Sequence, residues 1–430
     1  MRAGALLAGL AAAWLLPGRP LGIGVPIVAF LVAATAARVS RPSPGLVGFG
    51  ALALVLATLA AIRDAGWVVA LDLTGAWLAA CAAVAGPRAA ALAAPLRRLP
   101  AARVLVPRPS AEAAPVARGA LIGLVVTVPF GILFWSADAA FAGLWELAPV
   151  PSVESAAGRV IAFALVASAA VGLALARPEA PRDPRPPGRR LTRWEWVLPL
   201  VLLDALFAIF VAVQLVVLFG GHDHVLRTAG LTYAEYARDG FWQLVAAAAL
   251  TLAVIGAAAR NADVHRRADR LLLRTLLGLL SLLTLVVLAS ALHRLDLYVD
   301  AFGLTRLRIA VAAFCAWLGG ALGLVLLAGL AEAVRRRLAP VAAALTGIGL
   351  VAFSLANPDG IVAERNVERW RETGRIDLHY LGELSADAVP ALAALPAPLR
   401  EPALAPIVRE LGAEPWSSLN LARARARRYL

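Results

Sequence analysis

The chain has 430 residues, of which 61% are hydrophobic and only 16% charged, whereas soluble domains run nearer half apolar and a quarter charged. The apolar residues fall in runs of about 14–24, the length a helix needs to cross about 30 Å of hydrocarbon, and nothing alternates as a transmembrane barrel would. The formal charge of +13 is carried by 41 arginines and no lysine, and its distribution along the chain excludes a nucleic-acid footprint.

Taken in chain order, spans are expected at roughly 3–16, 21–37, 46–62, 67–85, 119–137, 160–176, 196–219, 241–259, 271–292, 307–330 and 341–356. This is an all-α, polytopic membrane fold of about eleven transmembrane helices, within a range of about 10–12. The first run follows Arg2, but the chain then turns at Pro17–Pro20 and re-enters apolar sequence, so it reads as a retained span and not a leader. Four segments result: an N-terminal membrane block of about six spans at 1–177, a Pro/Arg-rich cytoplasmic linker at 178–195, a second block of about five spans at 196–356, and a small helical tail at 357–430.

Gly119/Gly123 and Gly319/Gly323 are pairs of small residues that permit close helix contact. Phe141, Leu144, Trp145 and Leu147 recur at helical spacing, as in an interfacial helix. In the tail, Asn357 is placed to cap a helix, with Pro358 at its first position and Gly374 just past its end. Ala363, Asn366, Val367 and Trp370 share one face of that helix. A second short helix, a stop at Ser385 and a third follow, and Pro402, Pro406 and Pro415 are expected to break the rest.

Arg2 and the loops at 38–45, 86–118, 177–195, 260–274 and 332–339 hold 23 arginines against 7 acids, while the alternate loops hold 8 against 9. Arginine-rich loops stay cytoplasmic. The N-terminus is therefore expected inside and the tail outside, with the lipid bilayer as surroundings and no nucleic acid as partner. The chain's last residues, ARARARRYL, are basic enough to approach anionic lipid.

Without lysine there is no P-loop and no Schiff-base chemistry, and the sequence holds no H-E-x-x-H, G-x-S-x-G or C-x-x-C. No catalytic residue, cofactor or metal site is assigned. Cys81 and Cys315 fall within spans and read as packing, and His222, Asp223 and His224 read as a solvated loop. Asp72, Asp204 and Gln214 are the intramembrane polar candidates, because an acid near a span centre costs about 3 kcal/mol on insertion scales and normally faces a partner or cavity. In GLTYAEYARDGFW, residues 230–242, Thr232 and Glu235 fit a capping box that starts the eighth span. The Gly-Leu-Thr word recurs at 303–305, after an expected outer loop, HRLDLYVD.

The segments FVAVQLVVLFGG, TYAEYARDGFWQLV, HRLDLYVDAFGLTRLRIA and NPDGIVAERNVERWRETGRIDLHYLGELSADAVPAL resemble hallmark stretches of an uncharacterised bacterial membrane-protein family, domain of unknown function 4153/4173, over about 195–395. That resemblance implies a bacterial cell membrane and supplies no activity or cofactor. It marks Tyr233, Glu235, Tyr236, Arg238, Arg294, Tyr298, Thr305, Arg308, Asn357, Asn366, Arg369, Asp377 and Tyr380. With the threading above, these residues form a candidate outer-face surface for a protein partner or ligand. The leading expectation is a non-enzymatic sensor, scaffold or accessory subunit. The alternatives are an ion- or proton-coupled transporter using Asp204, Gln214 and Asp72, and a transferase acting on a lipid-linked substrate through Glu235, Arg238 and Arg294.

Overall fold

A computed structural model describes residues 20–37, 44–85, 114–138, 141–143, 191–219, 240–412 and 414–430, with Ala11 and Leu15. The expected span at 160–176, that at 3–16 apart from those two positions, residues 220–239, and Leu144, Trp145 and Leu147 lie outside the described residues. Among the described residues every regular element is helical, and a lone bridge joins Leu191 to Ala262.

The apolar runs fold into α1 (Gly24–Ala37), α2 (Pro44–Leu59), α3 (Gly66–Ala85), α4 (Ala114–Ala137), α5 (Arg193–Phe219), α6 (Phe241–Asn261), α7 (Arg267–Phe302) and α8 (Arg306–Leu330), followed by a short α9 (Glu332–Arg336) and α10 (Leu338–Leu355). Six of these, α4 to α8 and α10, are long and apolar enough to cross a membrane by length and composition. They are apolar all round: Val125, Ile209 and Ile348 stand exposed on their outer faces, as in helices whose surroundings are not water. The tail folds into α11 (Pro358–Thr373), α12 (Leu378–Gly382), α13 (Val389–Leu392), α14 (Ala397–Glu410) and α15 (Leu421–Ala426).

Two compact units result, and they do not follow chain order. The first comprises Met1–Leu92, Val299–Trp317 and Ala339–Leu430. Here Leu56, Ala57, Ala60 and Val69 form an apolar core that Leu350 and Val351 of α10 complete. A second core, from Val362 and Leu381 to Ile407 and Ala426, unites the tail helices, with Leu304 and Ile309 packed against it. The α11 cap is as expected: Asn357 accepts from the Gly360 N–H, and Gly374 ends the helix at φ 70. Asn357, at φ 60, is the one non-glycine residue with positive φ among the described residues, a conformation in which asparagine is tolerated best.

The second unit comprises Ala93–Tyr298 and Leu318–Leu338. Its α4 and α5 run parallel: Gly119 meets the Trp194 carbonyl, Gly123 meets Pro199 and Leu202, and Phe134 stacks on Phe210 at 4.1 Å. A Cβ on Gly119 would sit 2.2 Å from the Trp194 oxygen, so this small-residue pair does permit the close contact expected of it. Gly319 and Gly323 differ. Gly319 has only ordinary side-chain neighbours, and Gly323 has nothing within 4 Å of a built Cβ.

Two local expectations need correction, and a third falls on residues outside those described. HRLDLYVD is helix, not loop: α7 runs on to Phe302, and Gly303 at φ 81 is the first residue able to stop it. Nothing in that octet breaks a helix, and burial of Arg294 and Leu295 anchors the extension. Pro402 and Pro406 lie inside α14 and do not break it. Each leaves one carbonyl without its helical bond, but Ala403, Leu404 and Ile407 are buried in the tail core and hold the helix together. Finally, α6 begins at Phe241 behind Gly240, which is left-handed at φ 84. Thr232 and Glu235, the expected capping box, lie outside the described residues.

Candidate functional site

In the first unit the tail is fastened to helix ends by buried carboxylates. Asp359, in the first turn of α11 and fully buried, accepts from Trp67 Nε1 at 3.0 Å, from Arg306 Nε at 2.9 Å and Nη2 at 2.6 Å, and from the Ser385 N–H at 2.9 Å. Burial pushes its carboxyl up, but the Arg306 hydrogen bonds and charge outweigh that and hold it below the usual carboxylate value. Its position at a helix N-terminus favours the same charged form. The Arg306 N–H also donates to the Tyr380 hydroxyl at 2.7 Å, and burial pushes that phenol up.

Asp387 repeats the arrangement. It accepts from Arg63 Nη1 at 3.0 Å and from the Asp64 and Ala65 N–H groups at 2.7 and 3.1 Å. Burial still leaves its carboxyl raised. Arg63 also donates from Nε and Nη2 to the carbonyls of Ser354 and Leu355 at the end of α10, satisfying orphan acceptors of a helix C-terminus. Through Asp359, Tyr380 and Asp387 this network ties the tail to the end of α2, the start of α3 and the start of α8, while Arg63 links the same point to the end of α10.

The sequence-marked residues of this unit serve the same fastening. Asn366 Nδ2 donates to the Leu304 carbonyl at 2.8 Å, and Arg369 donates to the carbonyls of Asp300 and Ala301 at the end of α7. Arg308 reaches the Gly303 carbonyl and Thr305 accepts from the Arg308 N–H, so the second Gly-Leu-Thr word is a helix-to-helix turn. Asp377 caps α12 by accepting from the Tyr380 N–H. Asp72 accepts from Ser354 Oγ at 2.8 Å, both groups buried. A groove of about 410 Å³ stays open on the tail, lined by Asn357, Glu364, Glu368, Arg371, Pro390 and Arg425 among others.

In the second unit Arg294, with 3% of its side chain exposed, donates to Asp138 at 2.6 Å and to the Ala137 carbonyl at 2.8 Å. Gln214 Nε2 donates to the same Asp138 oxygen at 2.6 Å, and Ser290 Oγ donates to Gln214 Oε1 at 3.1 Å. The network joins the end of α4 to the C-terminal parts of α5 and α7. Asp204 is different: it is 5% exposed, and neither carboxylate oxygen has a hydrogen-bond partner among the described residues. Tyr298 is half-buried in α7. Tyr233, Glu235, Tyr236 and Arg238 lie outside the described residues. Asp72 and Asp204 belong to different units, as do Arg294 and the tail residues Asn366 and Arg369.

Reading the sequence missed Asp359, Arg306, Asp387, Arg63, Trp67 and Asp138. Each acid among them stands at a helix boundary, in NPDG, ELSADA or WSAD, where its side chain answers orphan N–H groups or a facing arginine. A capping box was missed too: the Thr192 N–H donates to Glu195 at 2.9 Å and opens α5.

These features define an α-helical protein with membrane-capable helices and a helical tail bolted to their ends. The chain belongs to the family described as Domain of unknown function (DUF4153), whose model matches residues 27–395. The match extends the resemblance at 195–395 through most of the N-terminal half. No curated protein and no solved structure matches the chain.

Proposed function

We propose that this is a non-enzymatic membrane protein of about eleven spans in a bacterial cell membrane, a sensor, scaffold or accessory subunit that docks a partner on an extracytoplasmic tail. The observation that carries this reading is the use of polar groups in the tail. Asn366, Arg369, Tyr380, Asp359 and Asp387 are spent on holding it against helix ends, and Asn357 and Asp377 on capping its own helices. They supply a rigid platform and not a reacting centre. The open groove beside Glu364 and Glu368 is the surface left for a partner. Support for the threading comes from the arginine-rich loops and from α4 and α5, whose parallel packing fits a return span at 160–176. A photocrosslinker at Ala394 in native membranes should capture one partner, and Glu364→Arg with Glu368→Arg should abolish that product. Crosslinking no stronger there than at exposed His379 would overturn the reading.

A second reading, proton- or ion-coupled transport, is favoured by Asp204 alone. Gln214 and Asp72 already have partners in Asp138, Ser290 and Ser354, so the coupling residue would be the unpartnered acid. A transferase through Arg294 is disfavoured, because that guanidinium is buried and engaged.

A further inference from the structure

We propose that the segment Trp416–Leu430 binds the anionic phospholipid headgroups of the leaflet beside it. The inference rests on the membrane reading above, and the segment lies beyond the residues the family model matches.

Its position follows from how it is stitched down. Asn420 Nδ2 donates to the carbonyls of Ala60 and Arg63 at 3.2 and 2.8 Å, and the Leu421 and Ala422 N–H groups donate to those of Ala61 and Ile62. The Ile23 N–H donates to the Leu419 carbonyl at 3.0 Å, and Arg423 Nη2 donates to the Leu21 carbonyl at 2.9 Å. Contact is close enough that a Cβ on Gly22 would lie 2.4 Å from the Ser418 backbone. The segment is thus fixed at the start of α1 and the end of α2, two short apolar helices whose ends here lie, in the membrane reading, at the boundary between hydrocarbon and headgroups.

At that level it presents Trp416, Leu419 and Leu421, 53%, 51% and 60% exposed, near the exposed Leu21 and Ile23. An aromatic and leucines left bare at a helix-end boundary match an interfacial anchor. The last ten residues carry four arginines and no acid. Arg423 is taken up by Asp64 and Glu414, and Arg427 by Glu414. Arg425, at the edge of the tail groove, and Arg428 remain exposed, with no ion pair among the described residues. Apolar anchors flanked by guanidiniums, fixed at the membrane boundary, fit phosphate-bearing anionic headgroups better than a soluble partner.

The test uses the full chain without Cys81 and Cys315, with Leu421→Cys carrying an environment-sensitive fluorophore. It is reconstituted in vesicles of phosphatidylcholine with or without phosphatidylglycerol, and quenched by a headgroup nitroxide. Quenching should rise with phosphatidylglycerol and fall with salt. Arg425→Gln with Arg428→Gln should remove that increment, about fivefold in lipid preference per arginine. Both arginines and Leu421 are exposed, so the variants should fold. A label equally open to water in both vesicles, or quenching indifferent to lipid charge, would overturn the proposal. Failure of the protein to float with vesicles at all would instead overturn the membrane reading beneath it.

Discussion

Arg306, in the first turn of α8, grips both oxygens of Asp359 in the first turn of α11, through Nε at 2.9 Å and Nη2 at 2.6 Å. The fork matches the carboxylate plane, which a lysine cannot do. Two elements more than fifty residues apart in sequence are thereby locked at their N-termini, with Trp67 and Ser385 filling the remaining acceptor positions of the acid.

Asp359→Ala should lower the stability of the full chain by about 3 kcal/mol, the lower end for breaking a buried pair. The lower end applies because Arg306 is 32% exposed and can recover water. Arg306→Lys should recover only part of that loss when placed beside wild-type Asp359. Thermal unfolding in detergent measures both, and a lysine variant as stable as wild type would contradict the bidentate account.

Acid should weaken the same lock. Asp359 has a folded carboxyl value below its unfolded one, so the unfolded chain binds the proton first as pH falls. The contribution is present above the unfolded value, about 3.9, and is lost as pH drops through the lower folded value. Unfolding midpoints measured from neutral pH downward should fall more steeply for wild type than for Asp359→Asn. Parallel curves would show that Asp359 is not the linked group.

Asp138 and Arg294 form the better shielded pair, with side chains 1% and 3% exposed. Removing either partner strands a charge, so Asp138→Asn or Arg294→Gln alone should cost about 3–5 kcal/mol. The double variant should cost clearly less than the sum, because no charge is left unpaired. An additive double-variant cycle would separate the two residues energetically.

The long apolar runs and the tail's first cap were legible because both depend on local chemistry: hydrophobic length for the spans, and Asn357, Pro358 and Gly374 for α11. The fastening network was not, because it joins residues far apart in sequence. Nothing near Arg63 points to Asp387, 324 positions away. Polar residues in the tail read as an exposed binding surface, whereas Asn366 and Arg369 turn toward carbonyls at a neighbouring helix end. The T-x-x-E word at 192–195 was overlooked, although Glu195 accepts from the Thr192 N–H and opens α5.

Gly240 gives a sharp contrast with other glycines. Its φ of 84 is costly for any side chain, and a Cβ would lie 1.9 Å from the Ala137 oxygen. Gly240→Ala should therefore destabilise by more than the about 1 kcal/mol of an ordinary left-handed site. Gly131→Ala, inside α4 with nothing within 4 Å of a built Cβ, should be neutral or stabilising by about 0.5–1 kcal/mol. Melting of the two variants side by side checks the assignment, and equal effects would count against the close approach of Gly240 to Ala137.

Asp204 separates structure from transport. It is buried in α5 with both oxygens unpartnered among the described residues, so nothing in its described surroundings repays its desolvation. Asp204→Asn and Asp204→Leu should consequently leave stability unchanged or raise it, unlike any change at Asp138 or Asp359. An acid that weakens the fold is retained for what it does or is simply tolerated, and flux distinguishes these. If the chain couples transport to an ion or proton, Asp204→Asn vesicles should lose gradient-driven uptake while melting as wild type. If both properties are unchanged, the transport reading has no remaining residue to rest on, and the docking platform stands as the better account of this fold.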